Sequence, residues 1–378
     1  MGKVLKIRLN INTILFLVML YPVILFFPNL FGKEVFYLTT PYFFLIFLLL
    51  IGIIILKGMF TLNRNYKLII FLILVVLYNF SSLRYSLPVF FIAYIFLLQI
   101  VLNTVRKDEI NMKIVELFFY FFILISIPFI FLPQGWNLVG RFVGFIGSPT
   151  VYAGIMATMF SIVAKKWELK TWKFAITFII IGYLIFISKT RLLLIFLVVF
   201  PLIKYLLANR MWFTKKRIYV IFLITTISIY PLYGVVTNMF PSLVSIRYEE
   251  GSKDKSFGLR LYLNEKLSED YKDGTITQKL FGKGNEYSRN LVKSEFNADI
   301  FPHNDFWRII TDWGIIGFLL FMCFLYILAV KNIDTFYISL IYILLFYSNM
   351  VFNIFMMSLL IIFYYNNRKM PVKNEIQN

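Results

Sequence analysis

Apolar runs of about 20 residues recur along most of this 378-residue chain, each long enough to cross a hydrocarbon core about 30 Å thick as one helix. The runs do not alternate between apolar and polar residues, so helices rather than barrel strands are the expected spans. Composition agrees: 60% of residues are hydrophobic and 15% charged, against about 45–50% and about 25% in soluble domains. That balance excludes a soluble globular fold, and it excludes disorder, which needs low hydrophobicity. The expected fold is an all-α, polytopic integral membrane protein.

Spans are expected at about 10–31, 36–57, 66–83, 86–104, 113–132, 147–164, 171–187, 191–208, 217–238, 306–330, 334–349 and 350–366. The first run, Ile11 to Phe31, is too long for the core of a signal peptide, and no small-residue cleavage site follows it. Phe336 to Tyr365 reads either as one long helix or as two short ones broken around Ser348-Asn349. Charge decides between them. The segments on the N-terminal side hold 22 Lys and Arg, whereas the short segments on the other side hold Lys33, Arg84, Arg141, Lys189 and Arg191. Basic residues collect on the cytoplasmic side. About twelve spans with both termini cytoplasmic place the basic tail inside; eleven would place it outside. The net charge of +19 is therefore read as a topology signature and not as a nucleic-acid surface.

Residues 240–305, between spans 9 and 10, form one large loop on the outer face of an otherwise single transmembrane domain, 1–378. The loop carries ten Lys/Arg and eleven Asp/Glu, and the spacing from Leu259 to Tyr271 predicts a helix within it. It is too long and varied for a plain connector, and loops of this kind hold chemistry. A single cysteine, Cys323, and a single histidine, His303, leave no internal disulfide and no Cys- or His-rich metal site. No metal and no cofactor is expected.

Three outer-face arginines stand out. Arg141 lies in Gly140-Arg141-Phe142-Val143-Gly144, Arg191 ends Ser188-Lys189-Thr190-Arg191, and Arg260 ends Gly258-Leu259-Arg260. Any one of them is readable as a side chain snorkelling to the headgroups. Three on one side, against the charge bias, point to a shared anionic ligand, because guanidinium groups grip phosphate oxygens bidentately. Arg191 at a helix start adds backbone N–H donors for the same anion. Arg84, also at an outer span start, is a fourth candidate contact. His303 lies in Pro302-His303-Asn304-Asp305, where the loop meets span 10. It is readable as an interfacial histidine or as a general base taking a proton from a sugar hydroxyl. Asn304 or Asp305 caps that span, and Asp312 is readable either as a supporting partner for His303 or an arginine or as a solvated residue at the headgroup level. Gly314 and Gly317 lie three apart on one helix face, a spacing that allows close helix packing. Gly282-Lys283-Gly284-Asn285 reads as a turn, since no strand precedes it.

Together these pieces resemble the superfamily of O-antigen polymerases and O-antigen ligases. His303-Asn304, then nine residues, then Gly314-Ile315-Ile316-Gly317 resembles the family's His-Asn … Gly-x-x-Gly pattern after a large outer loop. Gly140-Arg141 … Ser148-Pro149, Ser188 to Arg191, and Gly258-Leu259-Arg260 followed by Phe281-Gly282-Lys283-Gly284 are similar to its other elements, so the resemblance covers roughly residues 130 to 330. It implies a metal-independent membrane glycosyltransferase of the bacterial inner membrane, acting in lipopolysaccharide and polysaccharide biosynthesis, with its active site on the periplasmic face. The implied donor is an oligosaccharide on undecaprenyl pyrophosphate, held by Arg141, Arg191 and Arg260. His303 acts on the acceptor hydroxyl. Membrane lipids, a chain-length regulator and a flippase are the implied partners. Departures at Thr150, Asn264 and Phe318 weigh towards a polymerase, which extends lipid-linked repeat units of O-antigen or capsule, over a ligase, which moves the finished chain to lipid A core. A transporter or flippase is the reading from a different class, but inverted repeats and midplane broken helices are not evident.

Overall fold

The structure is a computed structural model. It describes residues 10–32, 39–57, 87–105, 109–138, 140–208, 220–222, 224–225, 256–296, 304–348 and 353–366. Among these residues the fold is all helix, without strands beyond an isolated bridge between Trp136 and Phe142. The helices are α1 (Ile11–Leu30), α2 (Thr39–Lys57), α3 (Leu87–Thr104), α4 (Met112–Phe131), α5 (Pro149–Ala164), α6 (Trp172–Ile187) and α7 (Arg191–Ala208), then α8 (Ser256–Asp273), α9 (Ile276–Phe281), α10 (Tyr287–Phe296), α11 (Asp305–Ala329), α12 (Ile333–Leu344) and α13 (Ile354–Tyr364). Of the described helices, α1, α4 and α11 are long and apolar enough to cross a membrane by themselves, and α2, α3, α5, α6, α7, α12 and α13 carry shorter apolar stretches. The expected span over 66–83, and most of that over 217–238, lie outside the described residues. The stretch after Phe336 is two helices: α12 ends at Leu344, a 3₁₀ turn covers Leu345–Ser348, and α13 starts afresh at Ile354 with Asn353 as its cap.

Helix starts follow local chemistry. The side chains of Asn10, Asn111, Thr171, Asn304, Asn332 and Asn353 each accept a backbone N–H from the first turn of α1, α4, α6, α11, α12 and α13. Pro149 starts α5, where a missing N–H costs nothing.

Burial separates the helices into two kinds. Every residue from Val151 to Ala164 on α5, from Asp334 to Ile343 on α12 and from Ile354 to Phe363 on α13 is buried, so these three helices are covered on all sides and form the centre of the bundle. α4 and α6 instead turn Leu117, Leu124 and Phe131, and Ile179, Tyr183 and Phe186, outwards as a lipid-facing surface.

Hydrogen bonds sort the helix ends. At one end of the bundle Asn12 bonds the backbone of Glu109 and Asn111, Asn366 accepts from Ile110 N–H, Asn332 donates to the Phe363 carbonyl, Lys165 pairs with Asp334, and Lys204 donates to the Ala164 carbonyl. At the other end Asn29 donates to the Gly144 carbonyl (2.9 Å), Phe142 N–H to Ile187, and Thr190 Oγ1 approaches the Pro149 carbonyl. Phe306, at the start of α11, packs on Phe346 there.

Candidate functional site

Arg141 is stitched onto the end of α6. Asn137 clasps it from both sides, its Oδ1 accepting the Arg141 N–H (2.9 Å) and its own N–H donating to the Arg141 carbonyl (3.0 Å). One residue on, Phe142 N–H donates to the last carbonyl of α6, Ile187, at 3.0 Å. The Arg141 side chain then donates through Nε to the Ser188 carbonyl (3.1 Å). The Gly140-Arg141 and Ser188 to Arg191 segments, 47 positions apart, thus share one corner.

That corner is built by small buried hydroxyls. Ser188 is fully buried, its Oγ donating to the Ile185 carbonyl (2.7 Å) and lying 3.1 Å from Thr190 Oγ1. Lys189 takes a left-handed conformation (φ 55°), uncommon for a residue with a side chain, and is exposed. The reversal lets the Thr190 carbonyl accept from Leu193 N–H and opens α7 on Arg191. Arg191 therefore stands at a helix N-terminus, where backbone N–H groups lack helical partners and favour an anion. The Lys189 ammonium points back over Gly140, 4.0 Å from where a Cβ there would sit. Lys189 is a residue that motif reading passes over: its sequence signal is only its place between Ser188 and Thr190.

A second cluster surrounds the start of α11. Asn304 is fully buried and caps the helix through Oδ1 to Phe306 N–H (3.0 Å). Asp305 and Arg308, both buried, form an ion pair at 3.7 Å. Asp312, 2% exposed, accepts the backbone N–H of Ser288 on α10 at 2.8 Å. Gly314 then breaks the helix with φ 71° and ψ 177°. The sequence spacing suggests a glycine pair packing one helix face; the close approach at Gly314 is instead to loop backbone, through the break. The carbonyls of Thr311 and Asp312 accept the N–H groups of Lys283 (2.9 Å) and Gly284 (3.2 Å). The fit is tight on both sides: a Cβ on Gly314 would lie 2.3 Å from the Leu280 carbonyl oxygen, and one on Gly282 (φ 91°) would lie 2.1 Å from that of Asp312. Gly317 follows, buried, on the continuing helix.

The loop helices extend this contact. Lys283 pairs with Asp270 of α8 at 2.8 Å and donates to its carbonyl, while Tyr287 donates to Asp270 Oδ1 at 3.1 Å. Burial and the Asp270 carboxylate push the Tyr287 phenol above its ordinary range, so it remains a donor. Tyr271 of α8 packs at 6.2 Å on Trp307 of α11, and Trp313 Nε1 donates to Asn285. The helical spacing from Leu259 to Tyr271 falls within α8, which carries Arg260 on its backbone near the helix start. The side chains of Arg191 and Arg260, and all of His303 and Arg84, lie outside the described residues. Asn304, the neighbour of His303, places the end of that motif at the start of α11. Among the described residues no group of three or more His, Cys, Asp or Glu is gathered for a metal ion.

No curated protein and no solved structure was found to match the chain. A family match exists, and it runs from within α6 to within α11, taking in Arg191, Arg260, His303, Asn304, Asp312, Gly314 and Gly317 and leaving out Arg84 and Arg141. Residues 176–322 match the model of the O-antigen ligase family, a similarity consistent with the superfamily of O-antigen polymerases and ligases.

Proposed function

We propose that this chain is a polysaccharide polymerase of the inner membrane. It transfers a growing glycan from undecaprenyl pyrophosphate to a sugar hydroxyl on the next lipid-linked repeat unit. The observation that carries the reading is the bond from Arg141 to the Ser188 carbonyl, which joins two cationic motifs at one end of the bundle beside the α7 N-terminus. The family match supports ligase- or polymerase-type transfer in general; the departures at Thr150, Asn264 and Phe318 favour the polymerase.

In this reading the acceptor oxygen attacks the anomeric carbon of the donor. His303 takes the hydroxyl proton, and the bond from that carbon to pyrophosphate breaks. The leaving lipid pyrophosphate carries its charge away unprotonated. Arg141, Arg191 and Arg260, with Arg84 as a further contact, stabilise the charge developing on it, a role that fixed cations fill without a metal ion. Asn304 orients the His303 segment through its cap on α11. The helix ends linked around Lys165, Lys204 and Asn366 face the cytoplasm together with both termini. Arg141 and the 240–305 loop stand on the outer face, the loop carrying its part of the site on one transmembrane domain.

The test is the glycan profile of a deletion strain, complemented with wild type or with Arg191→Lys. Single repeat units on the acceptor identify a polymerase. Full-length chains stranded on undecaprenyl pyrophosphate identify a ligase. Normal chain length with Arg191→Lys at normal membrane insertion contradicts bidentate phosphate binding by that residue.

A further inference from the structure

We propose, resting on the function above, that Asp312 is a positioning residue that sets where Arg260 stands relative to the His303 end of α11. It makes no claim on the reacting atoms. Its effect is carried by a chain of contacts.

The chain starts where α11 breaks. An unbroken helix would satisfy the Thr311 and Asp312 carbonyls with N–H groups four residues on. The break at Gly314 leaves both to the loop, and Lys283 and Gly284 donate to them. That joint consists of these backbone hydrogen bonds, a close glycine contact and the bond from Trp313 Nε1 to Asn285, all before the first residue of α10, so on its own it does not fix the direction in which α10 leaves. The Asp312 carboxylate supplies a further point by accepting Ser288 N–H at 2.8 Å, from a residue that is fully buried. The anchors at Lys283, Gly284 and Asn285 all lie in the turn, whereas the one at Ser288 is on α10 itself and sets the direction in which that helix runs.

From the joint the contact passes to α8. Lys283 and Tyr287 both precede Ser288 in sequence, and both grip Asp270, at 2.8 and 3.1 Å. Arg260 lies ten residues before Asp270 on the same helix, about 15 Å along its axis at 1.5 Å per residue. A small rotation at the joint becomes a displacement of several ångströms at Arg260. The start of α11, with Asn304, does not move with it, because it is packed on Phe346 of the buried bundle. Loss of the Ser288 bond therefore separates the two halves of the site without unfolding either.

The experiment compares Asp312→Leu with Asp312→Asn in the full-length protein, reconstituted with a lipid-pyrophosphate-linked repeat unit. Asparagine keeps the oxygen that accepts Ser288 N–H; leucine does not. Two readouts are taken: hydrogen exchange of the 282–290 segment, and donor KM separately from kcat. With Asp312→Leu the expected result is exchange at Ser288 faster by at least about tenfold and donor KM raised about tenfold, with kcat less affected, because the displaced group binds donor and is not the base. With Asp312→Asn both stay within about threefold of wild type. Unchanged exchange in Asp312→Leu overturns the role of Asp312 at the joint, whatever the activity. Faster exchange with an unchanged KM overturns the positioning of Arg260. An asparagine variant as impaired as leucine assigns the effect to charge beside Arg308 and also overturns the proposal. A wild type that releases no lipid pyrophosphate overturns the proposed function, and the positioning role in it, while the exchange data still report whether Asp312 holds the joint.

Discussion

Around Arg141 a cationic corner is assembled from the ends of apolar helices; around Arg260 and Asn304 the neighbouring cluster is assembled from polar helices clamped to one of them. In the first, the bonds run between turns whose positions are already dictated by α5, α6 and α7, and the side chains involved are short: Asn137, Ser188 and Thr190. In the second, α9 leaves Ile276, Leu280 and Phe281 exposed, and few described apolar side chains of α8, α9 and α10 are buried. Among them Leu263, Leu267 and Val292 are buried, and the group depends on its joint with α11. Membrane-embedded helices hold a corner with modest help from specific polar contacts, because the burial of α5, α12 and α13 fixes the frame. A polar loop must be docked at named points, and its placement depends on each of them.

The largest effect is expected at His303, the residue proposed as the base. His303→Ala should reduce chain extension by about 10²–10⁴-fold, the usual contribution of a general base, with membrane insertion unchanged. Complementation of a deletion strain to normal chain length would remove His303 from the mechanism.

Next comes the joint itself. Gly314→Ala forces an alanine into a backbone region (φ 71°, ψ 177°) that only glycine adopts readily, costing about 1–3 kcal/mol, and drives a methyl group into the Leu280 carbonyl. The bundle should keep its melting temperature within a few degrees, while the 256–296 helices become accessible to protease and extension falls roughly tenfold or more. If the loop stays resistant, the joint is not what holds it.

The helix-end corner should respond more gently. Arg141→Lys retains the charge but loses the Nε bond to Ser188. Hydrogen bonds involving charged groups contribute about 1.5–3 kcal/mol, and Arg141 is partly exposed, so the low end applies and donor affinity should fall about tenfold with the loop still protected. Equal proteolytic sensitivity in Arg141→Lys and Gly314→Ala would erase the distinction between the two clusters.

The smallest change is expected at Gly182 on α6, where a Cβ meets nothing within 4 Å. Gly182→Ala should leave activity within about twofold of wild type and stabilise the helix by up to about 1 kcal/mol. An activity loss comparable to that of Gly314→Ala would mean that glycine content alone, and not the break, matters.

Much of this was legible before any coordinates. Runs of apolar residues near 20 long have few folds open to them, since every backbone group must be satisfied inside the membrane. The described apolar helices therefore lie close to where hydropathy puts them, and polar caps such as Asn10, Asn111 and Asn332 mark their starts. The residue types of the corner were legible too, because arginine on the sparsely charged side needs a reason. The turn at Gly282 and the helix around Arg260 follow from local spacing.

Tertiary structure decided the rest. That Arg141 bonds the Ser188 carbonyl, that Lys189 folds back over Gly140, and that Ser288 meets Asp312 are contacts between segments distant in sequence, and no local pattern encodes them. Gly314 is the sharpest case. Its spacing from Gly317 reads the same whether it packs a helix face or interrupts the helix. Which of the two occurs depends on whether another backbone arrives to take the carbonyls of Thr311 and Asp312, and that backbone comes from Lys283 and Gly284 in a separate loop.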